Sequence, residues 1–193
     1  MIIGITGGTG CGKTTLLDVI REAGGLVLDC DAIYHELLKT DKDLLAAIEA
    51  RFPGTVENGQ LQRKKLGAIV FNDKAALEEL SHITGRFIGR ELHRQLDTKP
   101  KLAAIDAIRL FEGGLYKLCQ VTVAVTAPVE IRVQRLMARD NITEEYARSR
   151  IAAQPSGEEF AAKCDYTLCN DGTMEAFREK CLAFLREQGI MNL

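Results

Sequence analysis

The chain has 193 residues, enough for one domain with a sizeable core. Its 25 Lys and Arg nearly balance 27 Asp and Glu, so there is no overall basic field to favour nucleic acid and no acidic tail to suggest a disordered arm. Six cysteines (Cys11, Cys30, Cys119, Cys164, Cys169 and Cys181) are scattered without a close C-x-x-C pair, a usage that fits free thiols in a reducing cytosol better than disulfides or zinc. The apolar start is far short of the roughly 20 residues a bilayer span needs, and it lacks a basic leader. A soluble cytoplasmic protein with no membrane or nucleic-acid partner is expected.

Taken in order, Ile2, Ile3 and Ile5 are β-branched and nearly continuous, as in a strand covered on both faces of a parallel sheet. Gly7-Gly8-Thr9-Gly10-Cys11-Gly12-Lys13-Thr14 follows at once and fits the phosphate-binding loop pattern G-x-x-x-x-G-K-S/T. Its glycines let the backbone turn several N–H groups toward a phosphate, and the helix after it adds the positive end of its dipole. Lys13 is placed to reach the outer phosphates of a nucleoside triphosphate, and the Thr14 hydroxyl to ligate Mg2+. Leu16, Leu17, Val19, Ile20 and Ala23 recur at helical spacing before Gly24-Gly25, and residues 26–28 read as a second strand. That unit predicts a right-handed parallel crossover, with ligand at the carboxyl ends of the strands.

Asp29, Cys30 and Asp31 stand at such an end. Asp31 has two readings: a carboxylate that takes a hydrogen bond or proton from an acceptor hydroxyl, or the N-cap of a helix beginning near Ala32. From 32 to 98 strand signals vanish and apolar residues recur at helical spacing, punctuated by Pro53-Gly54 and Asn58-Gly59, so a helical insertion suited to holding an acceptor interrupts the sheet. His35, His82 and His93 have no metal spacing, and Arg63, Lys64 and Lys65 read as a solvated helix face.

Strand character returns at 102–106 and 121–125. Asp106 ends the first of these, where a phosphate-loop protein carries the carboxylate that organises Mg2+ through water; Glu112 reads as a site residue or a helix-terminus charge. After Pro128, Arg132, Arg135 and Arg139 form a stripe at i, i+3 and i+7. Thr143 then looks like the cap of a second arginine-bearing helix, and the pair suggests a lid over the phosphates, with Arg139 its foremost cation. Residues 166–169 read as a last strand, Asn170-Asp171-Gly172 as a turn, and an amphipathic helix closes the chain.

Over nearly its whole length the chain resembles the dephospho-CoA kinase family. The resemblance rests on the loop after Ile5-Thr6, on Leu28-Asp29-Cys30-Asp31, on Asp106 to Glu112, on Arg135-Leu136-Met137-Ala138-Arg139-Asp140 with Arg150-Ile151 and Gln154, and on Asp165-Tyr166 through Gly172. It implies an α/β three-layer phosphate-loop fold with a parallel five-stranded sheet, in a single domain made of a core (about 1–31 and 99–193), a helical acceptor insertion (about 32–98) and a lid (about 138–160). It also implies transfer of the ATP γ-phosphoryl group to the ribose 3′-hydroxyl of dephospho-CoA, with Mg2+, by a monomer. In that scheme Asp31, Lys13 and Arg139 are catalytic; Thr9, Gly10, Cys11, Gly12, Lys13, Thr14, Thr15, Asn170 and Gly172 bind ATP, the last two beside the adenine. Thr6, Asp31 and Glu112 bind the acceptor, and Thr14 and Asp106 hold the metal. The alternatives are another small-metabolite or nucleotide kinase of this class and a non-kinase nucleotide switch; no Asn-Lys-x-Asp guanine-reading segment occurs. Family members usually have serine where Cys11 stands, and a Thr-His-Pro run where this chain reads Thr84-Gly85-Arg86.

Overall fold

The computed structural model describes residues 1–190. In chain order it forms β1 (Ile2–Thr6), α1 (Lys13–Glu22), β2 (Leu26–Asp29), α2 (Cys30–Thr40), α3 (Lys42–Arg51), β3 (Val56–Glu57), β4 (Gln60–Leu61), α4 (Arg63–Val70), α5 (Lys74–Leu96), β5 (Ala103–Asp106), β6 (Val121–Thr126), α6 (Val129–Asp140), α7 (Glu144–Ala152), α8 (Gly157–Ala161), β7 (Tyr166–Cys169) and α9 (Met174–Glu187). The chain divides into two compact units. One comprises Met1–Val27, Pro100–Ile108 and the chain from Leu118 on, the other Leu28–Lys99 with Arg109–Lys117.

The first unit is built on the expected five-stranded sheet, in the order β2-β5-β1-β6-β7. β1 pairs in parallel with β5 on one side and β6 on the other, and β6 with β7. A central strand with neighbours on both edges and helices on both faces must be apolar throughout, and Ile3 and Ile5 are fully buried. α1 and α9 cover one face: Leu16, Leu17, Val19 and Ile20 meet Phe177, Cys181, Phe184 and Leu185. Each such buried side chain contributes about 1.5–3 kcal/mol, and together they fix the angle at which α1 leaves the loop. α6 and α7 pack on each other through Val133, Leu136, Ala147 and Ile151, and Arg148 of α7 ties the pair by its bond to Glu130 of α6.

In the second unit α2 to α5 close around Leu38, Leu44, Leu45, Ile48, Phe52, Leu66, Val70 and Ala76. The helices match expectation, but strand is not wholly absent from this stretch: β3 and β4 form a two-residue antiparallel hairpin. Asn58 and Gly59, at φ 52° and 74°, make its turn, the positive-φ geometry that two-residue hairpin loops demand. Strands this short cannot display a period of two, so only the turn shows in the sequence. The departure at Gly85 also finds its reason here. A Cβ on Gly85 would lie 2.2 Å from the carbonyl oxygen of Gly113, so α5 and the 109–117 segment approach backbone to backbone. That close approach offsets the roughly 1 kcal/mol a mid-helix glycine costs relative to alanine. Arg109 reinforces the crossing by donating from Nε to Ser81 Oγ.

Candidate active site

Residues 7–14 wrap from the end of β1 to the first turn of α1. Gly10 and Gly12 sit at φ 78° and 93°, conformations that an L side chain strains to adopt. Cys11 N donates to Gly8 O and Thr15 N to Gly12 O. The loop carbonyls are held from outside: Arg132 Nε donates to Thr9 O at 2.8 Å, Asn170 Nδ2 to Cys11 O at 3.0 Å, and Arg135 Nη1 reaches Gly10 O at 3.4 Å. Tying a peptide's oxygen outward turns its N–H the other way. Among the described residues, the N–H groups of Gly10, Gly12, Lys13 and Thr14 donate to no protein acceptor. Four unspent donors at a helix N-terminus form an anion cradle.

The clamp has a core of its own. Asn170 is 4% exposed; its Oδ1 accepts from Arg135 Nη2 at 2.9 Å while its backbone N–H donates to Thr126 O. Arg132 is 3% exposed. Gln154, just beyond the end of α7, takes the Thr9 N–H at 2.7 Å on its Oε1. Across the cradle Lys13 Nζ lies 2.7 Å from Asp106, the last residue of β5. Thr14 is exposed in the first turn of α1. Cys11 is buried, and burial pushes its thiol pKa up, so this position enters through its backbone.

Several of the expected residues are bonded within the protein. Thr6, expected at the acceptor, is fully buried at the end of the central strand, with its hydroxyl donating to Ile108 O. The Asn170 amide, expected beside adenine, is spent on Cys11 O and Arg135; Gly172 lies exposed two residues on. Arg139 makes no bond to the loop: its Nε and Nη2 fork onto Asp140, which also takes Arg150. Arg139 first and Arg150 second hold the Asp140 carboxyl well below the usual carboxylate range. The three arginines share one face of α6 but not one level: Arg132 and Arg135 reach the loop, while Arg139, a turn farther along the helix, pairs with Asp140.

In the second unit the competing reading of Asp31 as a helix cap is overturned. Asp29 is the N-cap of α2, its Oδ1 accepting from Asp31 N and Ala32 N at 2.9 and 3.0 Å. Asp31 falls in the first turn with an exposed carboxylate that no described residue hydrogen-bonds. Glu112 is half-buried in the 109–117 segment of the same unit.

A family model described as dephospho-CoA kinase matches residues 1–176. The chain belongs to the dephospho-CoA kinase family. A dephospho-CoA kinase of Geobacillus kaustophilus is 34% identical over 97% of this chain and 96% of its own. Among solved structures, TT1252 from Thermus thermophilus superposes with a TM-score of 0.77 at 33% identity, covering 97% of both chains. The dephospho-CoA kinase from Campylobacter jejuni gives 0.64 at 28%, covering 98% of both. Gln154 and Arg132 show in the sequence of this family member, but no role at the loop could be read for either from the sequence. Arg132 was visible as part of a stripe, but a stripe says nothing of which member lies level with the loop.

Proposed function

We propose that this chain phosphorylates the ribose 3′-hydroxyl of dephospho-CoA with ATP, giving coenzyme A and ADP in the last step of coenzyme A synthesis, and that it does so as a cytoplasmic monomer. The observation that carries the reading is the phosphate loop with its carbonyls pinned outward by Arg132, Arg135 and Asn170, in a chain that matches the family model over residues 1–176.

Phosphoryl transfer passes through a loose transition state, so positioning and charge neutralisation outweigh covalent help from the protein. The free N–H groups of residues 10–14 hold the donor phosphates, and Lys13 exchanges Asp106 for the oxygens of the transferring group. Asp31 accepts the hydrogen bond of the attacking 3′-hydroxyl; its lack of a protein partner leaves the carboxylate available for that. Arg139 becomes a phosphate ligand once it leaves Asp140, and Arg150 keeps Asp140 compensated when it does. Thr14 and Asp106 offer only hard oxygen donors, and no group of three or more His, Cys, Asp or Glu side chains among the described residues makes a metal cage. That suits Mg2+, which is held largely by nucleotide phosphates and water and supplies charge neutralisation there. Under this reading the helical unit, from about 32 to 98, takes the acceptor, and the stretch from about 138 to 160 acts as the lid.

Incubating purified protein with ATP, Mg2+ and dephospho-CoA should yield coenzyme A and ADP in equal amounts. Failure to form coenzyme A, with ADP release driven by another small acceptor, would overturn the assignment.

A further inference from the structure

Two adjoining cavities open on the helical unit, and neither is explained by residues assigned so far. One, of about 390 Å3, is walled by His35 and Lys39 of α2 and by Arg63 at the start of α4. The other, of about 260 Å3, shares His35 and Arg63 but is otherwise apolar, between Tyr34, Leu66 and Phe71. Arg63 Nη2 lies 3.2 Å from His35 Nδ1, and among the described residues no carboxylate pairs with Arg63. Lys39 has only Glu36, at 3.2 Å, and both are well over half exposed; a pair so solvated contributes little and exchanges readily. Phe71 is 80% exposed, an unusual position for so large an apolar ring. A cationic pocket thus runs into an apolar one.

Helix geometry connects both to Asp31. Tyr34, His35 and Leu38 follow Asp31 at i+3, i+4 and i+7, so they share its face of α2. His35, which lines the cationic pocket, follows Asp31 by about one helical turn, roughly 5.4 Å along the axis of α2, a spacing comparable with the span of a ribose between its 3′-hydroxyl and its 5′-phosphate. Dephospho-CoA has the same order of chemistry along its length: a 3′-hydroxyl, then a diphosphate, then a largely uncharged pantetheine arm.

Building on the acceptor assigned above, we propose that Arg63, with Lys39 and His35, binds the diphosphate of dephospho-CoA, and that the groove past Tyr34 and Phe71 receives its pantetheine arm. Arg63 is the anchor, because a guanidinium without a carboxylate offers a planar fork to phosphate oxygens. These residues position the acceptor and take no part in bond making. They confer selectivity for a nucleotide that carries a long 5′ arm.

The test compares wild type with Arg63→Gln, Arg63→Lys and Phe71→Ala; both positions are exposed, so the fold should survive each change. Arg63→Gln should raise KM and the calorimetric Kd for dephospho-CoA at least about tenfold, the range for loss of a charge-assisted hydrogen bond. Its kcat at saturation and its KM for ATP should stay within about threefold of wild type. Arg63→Lys should recover part of the loss, and Phe71→Ala should cost about three- to tenfold in KM for dephospho-CoA, from lost apolar contact. An Arg63→Gln enzyme with unchanged KM for dephospho-CoA, or one weakened equally toward ATP, overturns the proposal. If wild type itself makes no coenzyme A, the functional assignment falls first; normal wild-type turnover with indifferent variants sinks this subsite alone.

Discussion

Asn170→Ala removes the residue that ties the last strand to the phosphate loop, and its cost can be worked from the contacts. Two side-chain hydrogen bonds disappear, one to Cys11 O and one from the charged Arg135. A neutral bond contributes about 0.5–1.5 kcal/mol and one to a charged group about 1.5–3 kcal/mol. Cys11 is 2% exposed, so its carbonyl is left without solvent to replace the lost donor. The terms overlap and do not add in full, which leaves about 2–4 kcal/mol. If the loop must be held in its observed shape to take the donor phosphates, most of that appears in the nucleotide complex. The expected outcome is a fall in kcat/KM for ATP of about 30- to 1000-fold, at 1.4 kcal/mol per factor of ten. The KM for dephospho-CoA should move much less. Steady-state kinetics with each substrate varied in turn provides the assay, with thermal unfolding as a control. A variant whose kcat/KM for ATP stays within threefold of wild type would refute the view that the outer clamp sets the loop.

Lys13→Ala and Asp31→Asn should each lower turnover by at least about two orders of magnitude, the range for lost phosphate stabilisation or acceptor activation; near-normal turnover by Asp31→Asn would leave that carboxylate without a role in chemistry. Gly85→Ala forces a methyl against the Gly113 carbonyl and should lower the melting temperature by about 3–10 °C, whereas Gly89→Ala, whose nearest new neighbour is Leu115 at 3.7 Å, should be neutral or slightly stabilising. Burial pushes the thiols of Cys119 and Cys181 to about 12 and that of Cys164 to about 11. In the native protein at pH 8 they should resist iodoacetamide, read by mass spectrometry. Their folded pKa values lie above the unfolded value of 9.0, so the stability they contribute is complete below pH 9. It should decline as pH rises from there toward 11 and 12, seen as a falling unfolding midpoint.

How much of this was legible in the chain depends on how local each signal is. The loop, the helix after it, the strand-ending carboxylates and the helical character of 32–98 all follow from residue type at short spacing. Two-residue strands leave no periodic trace, so the hairpin around Asn58-Gly59 showed only as a turn. The cap of α2 went to Asp29, because two carboxylates flanking one residue compete for the same backbone donors and only the backbone angles decide between them.

By itself the sequence pointed to a nucleoside triphosphate site and to the glycines, lysine and threonine that would make it, since eight consecutive residues fit that chemistry with the strand before them and the helix after. It also marked Arg132, Arg135 and Arg139 as one stripe. Only the tertiary structure decided that the first two, with Asn170 and Gln154, hold the loop from outside while Arg139 binds Asp140. It also decided that Arg63, one of three adjacent cations with the look of a solvated face, lies against His35 beside two cavities. The physical reason is that packing elsewhere seats each helix: the seating of α6 decides which members of one stripe lie level with the loop, and the rotation of α4, set by its buried Leu66 and Val70, decides which of three adjacent cations meets the cavities.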